Sequence, residues 1–130
     1  MSKTKQSDDN GKQERFDLFV SEFNYWYEQF GLGEWDIDFG QRDNGENAAT
    51  IETSHTSRTA EVWLDSSFDS DNCTLNDIRL FAKHEALELL LADMHLLMTT
   101  DRVYKFEAVE QTHKVINRLI KYMERMDTRG

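Results

Sequence analysis

His84-Glu85-Ala86-Leu87-Glu88 places two metal-ligand side chains four residues apart, with a second carboxylate beside the first. On a helix, His84 and Glu88 stand one turn apart on the same face and can share a cation, while Glu85 points to one side of it. This is the spacing of zinc-hydrolase helices, whose usual form, H-E-x-x-H, uses two histidines as ligands and the glutamate as general base. In this chain Glu88 takes the place of the second histidine. A catalytic zinc takes three protein ligands and keeps one position for water, so the rest of the chain has to supply a third.

The stretch lies in the middle of a strongly apolar segment. Thr74, with Asp77 three residues on, forms a capping-box signature, and Leu75, Ile78, Phe81, Ala82, Leu87, Leu89, Leu90 and Leu91 follow. The pattern predicts a buried central helix from Thr74 to about Met98. Charged groups on such a helix are costly unless they are paired, hydrogen-bonded or bound to metal, which makes His84, Glu85 and Glu88 informative there.

Upstream, Phe16, Phe19, Val20, Phe23, Trp26, Tyr27 and Phe30 keep a 3.6-residue period, predicting a helix from about Glu14 to Phe30 that Gly31 or Gly33 stops. Trp35 to Phe39 alternates apolar and acidic residues and reads as a strand with one buried face. Ala48–Thr53 and Ala60–Leu64 are two further strands, joined by the polar segment Ser54–Thr59. The three are expected to form a small antiparallel sheet. Downstream, Phe106, Val109, Val115, Ile116, Leu119, Ile120 and Met123 predict a last helix from about Lys105 to Met126. The expected fold is α+β, with three main helices and a three-stranded sheet.

That last helix carries the candidates for the third ligand, His113 and, one turn earlier, Glu110. His113 is preferred because, with His84 and Glu88, it restores a set of two histidines and one carboxylate. Glu110 is then placed to orient His113 from behind. Asp93 and His95 are alternatives, but reaching the metal from there needs a chain reversal after Glu88, and no glycine is present to make one. His55, in a polar loop, reads as a solvated residue. Tyr104 is a candidate for an additional electrophile.

Composition limits the remaining possibilities. At 130 residues and 38% hydrophobic content, the chain can bury one modest core, so a single domain from residue 14 to 130 is expected after a disordered polar tail, Met1–Gln13. The single cysteine, Cys73, excludes an internal disulfide framework and cysteine-rich metal sites, fits a reducing cytoplasm, and reads most simply as a packing residue. No segment reads as a signal peptide or membrane span. The net charge of −10 is uneven: 14 acidic and 3 basic residues lie between Glu14 and Asp71, against 5 basic and 2 acidic from Lys114 to the end. Direct nucleic-acid binding is disfavoured, whereas a basic partner protein could meet the acidic half.

The chain resembles a known family in Tyr25-Trp26, Phe30-Gly31-Leu32-Gly33-Glu34-Trp35, Ala60-Glu61-Val62-Trp63-Leu64, the run Ala82 to Leu91, and Glu110-Gln111-Thr112-His113-Lys114-Val115-Ile116. In these segments it is similar to the small zincin-like metallopeptidases encoded by bacteriophages and prophages. The resemblance implies a minimal zincin fold in a bacterial host's cytoplasm, with Ala60–Leu64 as the strand nearest the active helix, lining a substrate cleft. It matches His84, Glu88 and His113 to the metal positions and Glu85 to the general base. The implied cofactor is Zn2+, although the donor set also accepts Mn, Fe, Co or Ni. The implied substrate is a peptide or protein. Replacement of a histidine ligand by a carboxylate reduces the net charge at zinc and makes its water less acidic. The alternative expectation is a catalytically inactive acidic protein that binds and inhibits a host defence or DNA-handling protein.

Overall fold

The computed structural model describes residues 2–67, 73–92, 95, 96, 105–127 and 129. Helix α1 spans Ser2–Gln29, strands β1, β2 and β3 span Asp36–Arg42, Ala49–Ser54 and Thr59–Asp65, and helices α2 and α3 span Leu75–Leu90 and Lys105–Met126. Among the described residues, the α+β class with three main helices and three strands stands as expected.

Helix α1 begins twelve residues before the expected start at Glu14, so the expected tail 1–13 is helical from Ser2. Adding turns to a formed helix costs little compared with nucleating one, so a polar segment can extend a helix that later residues anchor. Part of the anchor is Arg15, a buried side chain whose guanidinium donates to the Gly11 carbonyl at 2.9 Å and to the Cys73 carbonyl at 3.2 Å. Phe19, Phe23 and Trp26 form the buried stripe, and Glu22, buried beside them, accepts from Trp26 Nε1 at 3.1 Å. Gly31 ends the helix at φ 67°. Its N–H donates to the Glu28 carbonyl and the Leu32 N–H to the Tyr27 carbonyl, both at 3.1 Å, which is the double bond of a Schellman cap.

The sheet is mixed rather than antiparallel, in the order β1-β3-β2. β3 pairs with β2 antiparallel and with β1 parallel, Phe39 lying opposite Val62 and Val62 opposite Ile51. The reason is burial. β3 is the most apolar of the strands on its inner face, where Ala60, Val62 and Leu64 are all but inaccessible, and the central position also pairs its backbone on both edges. The connection from β1 to β2 therefore crosses the end of β3 instead of forming a hairpin. The inner face packs with Phe19, Phe23, Ile78, Ala82, Ala86 and Leu89 of α1 and α2 into one core, which also takes in Cys73.

Thr74 caps α2 as expected. Its hydroxyl accepts from the Asp77 N–H at 3.1 Å, and Asp77 accepts from the Thr74 N–H at 3.0 Å. The helix stops at Leu90, helix is present again at residues 92, 95 and 96, and residues 93, 94, 97 and 98 of the expected span to Met98 lie outside the described segments. Leu91, at φ −95° and ψ 8°, makes the cap without glycine, its N–H donating to the carbonyls of Leu87 and Leu89. Helix α3 docks on α2 through Leu87, Ile116 and Ile120.

Candidate metal centre

α2 is pressed between the core and α3, and this decides where its polar residues go. Ala82, Ala86 and Leu89 face the core, Leu87 faces α3, and Glu85 is buried with them at 4% exposure. His84 and Glu88, one turn apart, border the seam with α3. Across that seam the regular stripe Thr112, Ile116, Ile120 holds α3 against α2 and brings His113 alongside.

One nitrogen each from His84 and His113 and one carboxylate oxygen of Glu88 lie within 4.8 Å of one another. The imidazoles of His84 and His113 are stacked, with centroids 5.7 Å apart and planes at 18°. His113 Nε2 stands 3.7 Å from Glu88 Oε1, and His84 Nδ1 stands 3.5 Å from Glu85 Oε1. The side chains of His84 and Glu88 are about one-quarter exposed and that of His113 is 46% exposed, so the cluster opens to solvent on its α3 side.

The electrostatics are those of a site short of positive charge. Burial raises the pKa of Glu85 above the ordinary carboxylate range. Burial, first, and then the neighbouring Glu85 raise Glu88 to about 8, with His84 and His113 opposing that rise. The two carboxyls therefore retain a shared proton at neutral pH. Glu85 Oε2 is buried and has no hydrogen-bond partner, an expensive state for a carboxylate.

A divalent cation fits these residues. Two imidazoles and a carboxylate are a zinc donor set, and the cation would replace the shared proton. A tetrahedral zinc holds its ligand atoms roughly 3.3 Å apart, so closing around an ion asks for a small contraction that rotation of the exposed His113 side chain can provide.

The expected site residues thus divide. His84, Glu88 and His113 converge, with Glu85 adjoining. Glu110 is exposed one turn back on α3 and, among the described residues, makes no hydrogen bond or ion pair with His113, so the orienting contact expected of it is absent. Asp93 and Tyr104 lie outside the described residues. His95 is close after all. Its N–H donates to the Leu91 carbonyl at 2.8 Å, and it lines a cavity together with Glu88. His55 lines the same cavity, half-buried rather than solvated, its ring edge-on to Trp35 with centroids 5.7 Å apart.

The neighbouring strand also differs from expectation. β3, with Ala60–Leu64, is the sheet's centre, and it is β2, through Ile51 and Thr53, that lines this cavity beside Glu88. Pairwise proximity could not be read from the sequence, because it depends on the β1-β3-β2 order. No protein-family model matches the chain, and comparison with curated proteins and with solved structures likewise gives no significant match. Among the described residues no helix is long and apolar enough to cross a membrane.

Proposed function

We propose that this chain is a zincin-like metalloprotein that binds zinc through His84, Glu88 and His113 and hydrolyses peptide bonds with Glu85 as general base. The observation that carries the reading is the convergence of three donor atoms within 4.8 Å, from side chains four residues apart on one helix and a third on the next. A bound zinc supplies an acidified water and polarises a carbonyl oxygen. Glu88 and the two histidines hold their positions through the α2–α3 packing. Glu85, adjacent in sequence to His84 and held above its ordinary pKa by burial, is a carboxyl whose protonated form the site favours, as a group that takes a proton from water requires. β2 is an edge strand lining the cavity at Glu88, and its outer edge, unpaired among the described residues, offers a peptide backbone a place to pair.

The test is elemental analysis of untagged protein. Near-stoichiometric zinc in the wild type, lost in His84→Ala and in His113→Ala, supports the site, and cleavage of a peptide library by the loaded protein supports the activity. A wild type that takes up no metal after zinc is added back excludes both.

A second reading rests on the sheet's outer face. Asp38, Glu61 and Glu52 stand in register across β1, β3 and β2, all exposed. A basic surface of a host defence or DNA-handling protein would relieve their mutual repulsion. Neutralising all three should abolish such binding and leave the metal content unchanged.

A further inference from the structure

The metal cluster depends on where α3 lies, because the His113 side chain is about half exposed and its own burial does not fix it. Among the described residues, the buried apolar contact between α2 and α3 consists of Leu87, Ile116 and Ile120, with Ile116 less than one turn beyond His113. Side-chain packing alone defines a helix crossing angle loosely, with a scatter of roughly 15–20° among helix pairs. Ligand distances at a metal, by contrast, tolerate about 0.2 Å. A second attachment of α3 therefore bears directly on the third ligand.

Such an attachment lies past the end of the helix. Arg129, three residues beyond Met126, reaches back to α1. Its guanidinium donates to Glu22 Oε2 at 2.7 Å and to Asp127 Oδ2 at 2.9 Å, and its carbon stands 3.5 Å from the Tyr25 ring centroid and 5.5 Å from that of Trp26. Glu22 is buried, and its partners among the described residues are this guanidinium and Trp26 Nε1. The guanidinium answers the buried carboxylate and stacks on an aromatic face at once, and its removal leaves an uncompensated buried charge. Lys83 of α2, which precedes His84, places its Nζ over the same Trp26 ring at 5.3 Å. Trp26 is thus the point where α1, α2 and the segment leaving α3 meet. The helix bearing two of the ligands and the helix bearing the third are referenced to one side chain.

We propose that Arg129 is a positioning residue for the metal centre: by clasping the end of α3 to Glu22, Tyr25 and Trp26 of α1, it holds α3 on the far side of the Ile116–Ile120 contact from His113 and so keeps His113 opposite His84 and Glu88. The assignment rests on the zinc reading of those three residues.

The experiment measures the zinc affinity of full-length protein by competition with a chromogenic chelator, at a temperature where circular dichroism shows each variant folded. Arg129→Ala is expected to weaken zinc binding about tenfold, within the usual range for coupling between separate sites. It should also alter the visible spectrum of the Co2+-loaded protein, as His113 is lost from the coordination sphere. Arg129→Lys should recover part of the affinity, since it restores the charge at Glu22 without the planar stack on Tyr25. Arg125→Ala removes an exposed arginine from the last turn of α3 and should change neither readout. Glu22→Gln weakens the pair without stranding a buried charge, so its expected several-fold loss of affinity decides the matter should Arg129→Ala not fold. A folded Arg129→Ala or Glu22→Gln protein that binds zinc as tightly as the wild type, whatever its melting temperature, overturns the clasp and leaves the metal centre intact. An equal loss in Arg125→Ala does the same. A wild type that holds no zinc overturns both.

Discussion

At the residue scale, Glu85 and Glu88 illustrate how one local motif combines two demands. Glu85 is buried and Glu88 half-buried on a helix whose apolar positions are needed by the core, and their carboxyls are held above the ordinary range. For Glu88, raised to about 8 from 4.5, the folded protein keeps a proton that the unfolded chain releases. The stability associated with that proton is fully present below pH 4.5 and is lost as pH rises through about 8. Chelator-treated protein is therefore expected to melt at progressively lower temperature from about pH 5 to about pH 8, and Glu88→Gln should flatten the trend. Calorimetry across that range checks it; a melting temperature constant or rising with pH contradicts the carboxyl pair. Glu85→Gln is expected to retain zinc and to lose peptide hydrolysis by about 10²–10⁴-fold, measured as turnover per bound metal. The grouping of His84, Glu85 and Glu88 was legible in the sequence because helical spacing alone sets which side chains lie one turn apart, whereas His113, on another helix, was reached from the two-histidine, one-carboxylate inventory. The absence of a Glu110–His113 contact was not legible, because it depends on the rotation of α3 about its own axis.

At the scale of elements, local chemistry was readable and long-range pairing was not. The capping box at Thr74 and the glycine stop at Gly31 are set by neighbours three or four residues away, and both formed as expected. Thr74→Ala is expected to cost about 1 kcal/mol, read from denaturant unfolding. Strand order, by contrast, is a competition among strands for the central place, and β3 wins it by its inner face. A consequence is the packing of Trp63 across Gly40, its partner in the β1–β3 register. A Cβ at Gly40 would lie 2.4 Å from the indole ring, which is itself covered by the Arg42 guanidinium at 4.5 Å. Gly40→Ala should therefore destabilise the protein by about 1–3 kcal/mol, the scale of overpacking, although alanine ordinarily stabilises a strand relative to glycine. Gly40→Ala combined with Trp63→Val should recover part of the loss.

For the whole molecule, charge and packing are segregated: the sheet's inner face and α2 hold the apolar core, and its outer face carries the row Asp38, Glu61, Glu52. Like charges directly opposed across strands are destabilising, and a net charge of −10 adds a diffuse repulsion to the local one. The Arg42–Glu52 ion pair, at 2.7 Å, relieves one end of the row, leaving Glu61 between two carboxylates. Glu61→Lys, on the exposed face of the central strand, converts two repulsive pairs to attractive ones without touching the core or the metal cluster. It is expected to stabilise the fold by about 0.5–1 kcal/mol in dilute buffer, observed as a rise in melting temperature. Added salt should raise the melting temperature of the wild type and shrink the gap between the two proteins, because the interaction is at the surface and is screened. Zinc content should be the same in both. A gain that persists undiminished at about 1 M salt, where the screening length falls to about 3 Å, would mean that the introduced lysine acts through packing on the sheet instead of through charge.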